Sequence, residues 1–324
     1  MNFNRILIKF LALLIISGCS AIRKRSQCPE EITSFEYCKQ VVEVLASDSV
    51  EGRKPGTPGM EKAIRFVENK LQEAGVQPFF EEGYKDTLYP RGVESYNLVG
   101  IIGDREKEND YILVGAHLDH LGKTYYKEDS IYNGANDNAT GVAAVLYTAR
   151  VLSKLEFEKN IIIVVFTAEE WGLLGADHLG RKLKKMGIKL SYMINFEMLG
   201  KPLTSSPGKV YISGYKMTDF AAVSNQLLGE EFITYEKLDD YYNIFRLADN
   251  YPFYQTFEVP SHTICAYDFN NDPYYHHVDD EVENIDYQHL SDVIEKSSLL
   301  VKMLLESSAE IQFIKETEKK ATKD

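Results

Sequence analysis

The sequence predicts an α/β fold: a mixed, largely parallel central β-sheet flanked by helices on both faces. Three observations carry this. Strand-like and helix-like segments alternate along most of the 324 residues. Ile161 to Thr167 is an unbroken apolar run, Ile-Ile-Ile-Val-Val-Phe-Thr, the pattern of a strand buried on both faces. The intervening segments carry helical periodicity, with apolar faces to lay on a sheet.

In chain order, Phe35 to Ser47 is periodic in Val41, Val42 and Leu45. Gly52 to Gly59 is a Gly/Pro-rich loop. Met60 to Ala74 is an amphipathic helix (Ala63, Phe66, Val67, Leu71) closed by Gly75. Tyr96 to Ile102 and Tyr111 to Ala116 read as strands, and Gly141 to Leu152 as a helix rich in Ala, Val and Leu. After the central apolar strand come a helix (Leu173 to Met186) and two strands (Tyr192 to Phe196, Val210 to Ser213). A helix (Thr218 to Leu228), a strand (Ser261 to Ala266) and a long closing helix (Tyr287 to Leu305) complete the pattern. Tyr235 to Tyr251 has weak periodicity and reads as a surface excursion near a binding cleft. Residues 35–310 are expected to form a single domain, with 311–324 a charged tail that frays from Glu316.

The first residues read as a targeting segment. Arg5 and Lys9 precede and flank the apolar run Phe10 to Ile16, which ends in Ser17-Gly18-Cys19. That run is too short to span a bilayer comfortably. Ile-Ser-Gly-Cys resembles a bacterial lipobox, whose cysteine becomes the acylated first residue. Residues 1–18 are then a lipoprotein signal peptide and 19–34 a tether. The expected location is the bacterial cell envelope, lipid-anchored through Cys19 and facing the periplasm or the exterior. Cys28 and Cys38 could pair outside the cytosol, while Cys265 sits in an apolar segment as a buried thiol. No Cys-x-x-Cys occurs, which argues against a thiolate zinc site.

Lys plus Arg total 36 and Asp plus Glu 49, a net charge of −13. Nonspecific binding to nucleic acid needs a positive field, so that class is excluded as a partner. The balance of 44% hydrophobic and 26% charged residues is that of a folded globular chain.

The chemistry collects at strand ends, where ligands bind in sheets of this kind. His117-Leu-Asp119 follows one strand and Glu169-Glu170 another. Glu197 ends a third, and His276 lies beyond a fourth. Asn136-Asp137-Asn138 precedes a helix. Imidazole and carboxylate together suit zinc, ahead of manganese or cobalt. His120, His178, His262 and His289 carry no comparable case and read as structural or surface residues.

These segments resemble peptidase family M28, zinc peptidases with two metals in one site. The resemblance rests on Gly115-Ala-His-Leu-Asp-His-Leu-Gly122, Gly134-Ala-Asn-Asp-Asn-Ala-Thr-Gly141 and Phe166-Thr-Ala-Glu-Glu-Trp-Gly-Leu-Leu-Gly175. It rests also on Asn195-Phe-Glu-Met-Leu-Gly200, Tyr275-His-His-Val-Asp-Asp280 and the upstream Leu45-Ala-Ser-Asp-Ser-Val-Glu-Gly-Arg-Lys-Pro-Gly-Thr57. It implies a zinc-aminopeptidase-like fold and two zinc ions per chain. His117, Asp137 and Glu197 would hold one, and Asp137, Glu170 and His276 the other, with Asp137 as the bridge. Glu169 would be the general base, taking a proton from the attacking water and returning it to the leaving amine. Asp119 would accept the other ring N–H of His117. Tyr275 would donate to the tetrahedral oxyanion. Glu197 stands where much of the family has Asp. His277 offers a second imidazole, but the Tyr-His step and Asp279-Asp280 favour His276. Asp249, in Leu247-Ala-Asp-Asn-Tyr-Pro-Phe253, matches a family Ser-Asp-His step at its aspartate alone, so it lines the site or caps a loop.

The function implied is an aminopeptidase acting on peptides. The alternative is a glutaminyl-cyclase-like enzyme, a related fold that forms N-terminal pyroglutamate with one zinc. A carboxypeptidase relative would need a cationic pocket, for which Arg53, Arg181 and Arg246 are candidates without forming a cluster. Side-chain preference and oligomeric state are not legible.

Overall fold

The computed structural model describes residues 32–105, 110–125, 129–268 and 270–315. The signal segment, Cys19, Cys28 and nearly all of the tether lie outside the described residues, as does the chain from 316.

The first helix, α1 (Ser34–Leu45), opens on a capping box. Thr33 Oγ1 accepts the Glu36 N–H at 3.2 Å and Glu36 Oε2 accepts the Thr33 N–H at 3.2 Å. A second helix, α2 (Pro58–Glu73), starts with Pro58 in its first turn and Thr57 Oγ1 on the Met60 N–H. Short strands β1 (Gln77–Pro78) and β2 (Lys85–Leu88) lead to β3 (Ser95–Ile102) and β4 (Tyr111–His117). A two-stranded ribbon, β5 (Gly122–Lys123) with β6 (Ile131–Tyr132), precedes α3 (Thr140–Leu152). Then follow β7 (Asn160–Phe166), α4 (Leu174–Lys185), β8 (Leu190–Glu197), β9 (Val210–Ile212), α5 (Phe220–Leu228), β10 (Ile233–Thr234), α6 (Lys237–Tyr242), α7 (Asn250–Phe257), β11 (Ser261–Cys265) and α8 (Tyr287–Glu306).

Among the described residues nine strands form one mixed sheet in the order β1-β3-β7-β4-β8-β11-β9-β10, with β2 paired to β3. The middle four, β7, β4, β8 and β11, run parallel, and antiparallel pairs flank them on both sides. Every residue of β4, β7 and β11 is buried, which is why β4 and β7 read as apolar runs rather than alternations. Packing there is tight enough to require a glycine: a Cβ on Gly115 would sit 2.5 Å from Phe166 Cε2.

The chain makes β4, then β7 on one side of it, then β8 on the other. This reversal opens a crevice at the carboxyl ends of the three strands. His117 pairs with Phe166 at one seam, and Cys265 pairs with Glu197 at another, so all four parallel strands end on one edge.

Three details extend the sequence reading. The stretch Tyr235 to Tyr251 contains a short helix and a turn of 3-10 helix, and it walls a cavity of about 290 Å³ with Gly214 and Lys216. None of the candidate metal ligands lines that cavity. Residues 311–315 are not loose: Phe313 bridges Thr218, and the Ile314 N–H donates to Met217 O at 2.9 Å. Cys38 is a free, fully buried thiol in the α1 face, and Cys28, with which it could pair, lies outside the described residues.

Candidate metal centre

The loop before α3 carries Asp137, and its two flanking asparagines fasten it. Asn138 Nδ2 donates to Phe196 O at 3.0 Å, and its Oδ1 accepts N–H groups from Gly141 and Met198. Asn136 Oδ1 accepts the Gly200 N–H at 2.8 Å, and its Nδ2 donates to Asp272 at 2.6 Å. Asp280 takes the N–H groups of Asn136 and Asp137 at 2.8 and 2.9 Å. The loop is thereby tied to the end of β8 and to the His276 segment. The Asp137–Asn138 peptide is cis.

Arg53 supports the same loop from beneath. Its side chain is fully buried and donates to the main-chain oxygens of Leu118, Leu45, Asn133, Gly134 and Asp137. Burial lowers its pKa to about 10, against the opposing pull of Asp137, Asp280, Asp119 and Glu170.

His117 ends β4 with Nδ1 3.0 Å from the main-chain oxygen of Asp119. A carbonyl only accepts, so the proton is on Nδ1 and the Nε2 lone pair faces the crevice. Nε2 lies 3.3 Å from Asp137 Oδ1 and 3.3 Å from Glu197 Oε1, yet makes no hydrogen bond. A lone pair facing two carboxylate oxygens is repulsive, and either a proton on Nε2 or a metal ion between the three groups removes that repulsion. The second imidazole repeats the pattern: His276 Nε2 lies 3.3 Å from Asp137 Oδ2 and 3.2 Å from Glu170 Oε2. Donors at about 2.0–2.1 Å around a tetrahedral zinc stand about 3.3–3.4 Å from each other, so the imidazole–carboxylate distances in both trios match those between ligands of one ion. The two oxygens of Asp137 are divided between the trios. The donor set fits zinc.

The electrostatics agree with a site built for cations. Burial alone would lower the His117 pKa, but Glu169, Asp137 and Glu197 hold it well above the ordinary value. For His276 the same competition, won by Asp137 and Glu170, raises it to about 10. Burial raises the carboxyls of Glu169 and Glu197, and neighbouring carboxylates add to this, Glu197 and Asp249 for the first and Asp137 and Glu170 for the second. Each anion is costly next to the others, and a divalent ion removes that cost.

Glu169 and Glu170 follow β7 through Ala168, which has a positive φ of 56°. Their N–H groups donate to one carboxylate, Asp119, at 3.1 and 3.4 Å. The side chains then part. Glu169 offers an atom within 4.8 Å of His117 and Glu197, and Glu170 does so with His120 and Asp137. This corrects the expected contact of Asp119: its main-chain oxygen, not its carboxylate, holds His117, and the carboxylate positions the glutamate pair. Burial raises that carboxyl to about 7.

Tyr275 stacks on His276 with ring centroids 4.0 Å apart, and 46% of its surface is exposed. Burial of the hydroxyl and the carboxylates of Asp137, Glu197, Glu170 and Glu169 raise its pKa, so it remains a donor. His277 points away, with Nδ1 2.9 Å from Asp279. Asp249 is fully buried, caps no N–H of α7, and has no hydrogen bond to either oxygen. It lines the site, where burial and Glu197 raise its carboxyl well above the usual range.

His120 is the residue that sequence reasoning missed. It is neither on the surface nor remote: it is buried, with Nδ1 2.8 Å from Glu170 Oε1. Its position three residues beyond His117, on the loop leaving β4, was the available signal. His262 is structural as expected, held between Ser213 O and Thr218 Oγ1 at 2.7 Å each. The arginines form no carboxylate pocket. Arg53 spends its guanidinium on carbonyls, Arg181 pairs with Asp177, and Arg246 lies over Tyr251.

Switch point, parallel strand ends and paired imidazole–carboxylate trios define an α/β protein built around a candidate zinc centre. The chain belongs to peptidase family M28, whose model matches residues 97–301. A probable lipoprotein aminopeptidase, LpqL of Mycobacterium tuberculosis, is 26% identical over 196 residues, covering 58% of this chain and 38% of that protein. The LapA aminopeptidase of Legionella pneumophila superposes with a TM-score of 0.68 at 18% identity, covering 93% of this chain and 78% of that one. The glutaminyl cyclase of Porphyromonas gingivalis superposes with a TM-score of 0.66 at 17% identity, covering 85% of this chain and 99% of that one. The matched stretches make up 20–38% of the curated relatives' own lengths.

Proposed function

We propose that the protein is an exported zinc aminopeptidase that hydrolyses amino-terminal residues from peptides. The supporting observation is the pair of imidazole–carboxylate trios that share Asp137 at ligand-to-ligand spacing. His117, Asp137 and Glu197 would hold one ion, and Asp137, Glu170 and His276 the second. Bound there, zinc would supply Lewis acidity toward the scissile carbonyl and the attacking water. Glu169 takes the water proton as oxygen adds to the carbonyl carbon, and returns it to the nitrogen as the C–N bond breaks. Tyr275 donates its O–H to the developing oxyanion, and Asp119 holds the main chain of Glu169 in place. Lipid anchoring through Cys19, at the cell envelope, is part of the same proposal. It draws support from the Ser-Gly-Cys sequence and from the description of LpqL.

The test is mass spectrometry of a defined peptide mixture incubated with the protein and zinc. It contains free, acetylated and N-terminal glutamine peptides. Stepwise loss of amino-terminal residues, blocked by acetylation, is expected. Loss of ammonia from glutamine peptides without trimming would replace the reading with a cyclase. Cys19→Ala is expected to release the protein from membranes and abolish incorporation of labelled palmitate; retention of label would overturn the anchor.

A further inference from the structure

A carboxylate has two oxygens, and at Glu170 only Oε2 faces His276. The other, Oε1, is taken by His120 Nδ1 at 2.8 Å. That distance is a hydrogen bond, shorter than the 3.2–3.3 Å spacings of the two trios. His120 Nδ1 also stands 3.8 Å from Asp137 Oδ2, beyond that spacing. We infer that His120 is a positioning residue: its Nδ1–H holds Glu170 Oε1, so that Glu170 binds the ion through Oε2 alone. The inference rests on the proposed function only in taking Glu170 as a ligand.

The ring cannot easily turn away. The main-chain N–H of His120 reaches Arg53 O at 3.4 Å, and the ring makes edge-type contacts with Tyr132 and His276 at centroid distances of 6.4 and 5.8 Å. Gly134 leaves it room: a Cβ there would lie 2.6 Å from His120 Cδ2. Nε2 is buried and makes no hydrogen bond among the described residues, so the side chain's polar role falls to Nδ1. Carboxylate ligands are oriented by such outer partners, and losing one typically costs about 10–100-fold in metal affinity.

The experiment measures zinc affinity, not turnover, by competition with a chromophoric chelator. The proteins are wild type, His120→Ala, His120→Asn, Glu170→Gln and the double variant His120→Ala/Glu170→Gln. His120→Ala is expected to weaken zinc binding about 10–100-fold. Asn places an amide N–H near the Nδ1 position, so it should restore affinity to within about threefold. In the Glu170→Gln background the His120→Ala change should cost less than about twofold, because the partner it acts through is altered. An equal penalty in both backgrounds would assign His120 a merely structural role and overturn the inference. So would an unchanged affinity, or an Asn variant as weak as Ala. Should His120→Ala fail to fold by circular dichroism, His120→Gln replaces it, since its longer amide misses the Nδ1 position. Wild type that takes up no zinc overturns the proposed function together with this inference; zinc uptake with indifferent variants overturns the inference alone.

Discussion

Glu197 Oε1 and His117 Nε2 stand 3.3 Å apart across the seam between β8 and β4. Parallel pairing brings them there, with Gly115 opposite Asn195 and each strand continuing two residues to its end. The extra methylene of Glu197 relative to the family's usual aspartate is therefore accommodated within ligand spacing. Glu197→Ala is expected to carry one zinc fewer per chain by elemental analysis and to lose more than about 100-fold in kcat/KM. A direct ligand should matter more than the outer partners that cost 10–100-fold. Unchanged zinc content would remove Glu197 from the ligand set.

Glu169→Gln is expected to keep wild-type zinc content and melting temperature while kcat falls by about 100–10,000-fold, the usual contribution of a general base. Near-normal turnover would end its assigned role.

Asp119→Asn separates two accounts of that residue. The His117 proton rests on the main-chain oxygen of Asp119, so affinity at the His117 ion should stay within about threefold. The carboxylate anchors both glutamate N–H groups, so kcat should fall about 10–100-fold as Glu169 loosens. Weakened zinc at His117 with intact kcat would restore the contact expected from the sequence.

Arg53→Met leaves up to five buried carbonyls without their donor. The expected loss is about 3–5 kcal/mol of stability, seen in urea unfolding of the metal-free protein. A shift under about 1 kcal/mol would mean that water replaces the guanidinium.

The metal-free protein should lose stability as pH rises. Asp119 and Asp280 have carboxyls raised by burial to about 7, against an ordinary 3.8. A raised folded-state pKa contributes stability that is full below the unfolded value and is lost as pH climbs through the folded one. The window for these carboxyls is about pH 4 to 7; Glu169, Glu197 and Asp249 act in the same direction, His276, raised to about 10, carries the loss on above pH 7, and His262, lowered by burial to about 4, opposes it below about pH 6.5. Asp137 and Glu170, whose pKa values are lowered despite burial because of their histidine partners, act in the acid range instead. Chelated protein should melt about 5 °C or more lower at pH 8 than at pH 5, and zinc should shrink the difference. A melting temperature that rises over this interval would contradict the burial argument.

Much of the framework was legible because its signals are local. The run Ile161 to Thr167 announces a fully buried strand, and Gly75, with a positive φ of 78°, marks the end of the second helix. Of the candidate ligands, His117, Glu170 and Glu197 stand at or just past strand ends, while Asp137 precedes a helix and His276 lies eleven residues beyond β11. What escaped depends on direction rather than position. Whether the carboxylate or the carbonyl of Asp119 meets His117 is a matter of how the loop turns. Whether His120 faces solvent or Glu170 depends on Gly134 and Arg53, which approach from distant segments. The pairing of residues 311–315 with Thr218 is equally nonlocal: nothing in their charged neighbourhood signals a bridge.

The anchoring of two consecutive peptide N–H groups on Asp119 has a further consequence. Glu169 and Glu170 are the same amino acid, with the same intrinsic acidity and reach. Successive side chains leave the fixed backbone in different directions, and so one meets His117 and Glu197 while the other meets Asp137 and His120. Their difference in environment is written in the peptide planes. Composition at this pair is therefore silent about duty, and a rotation of the backbone there would reassign both residues without changing a single letter of the sequence.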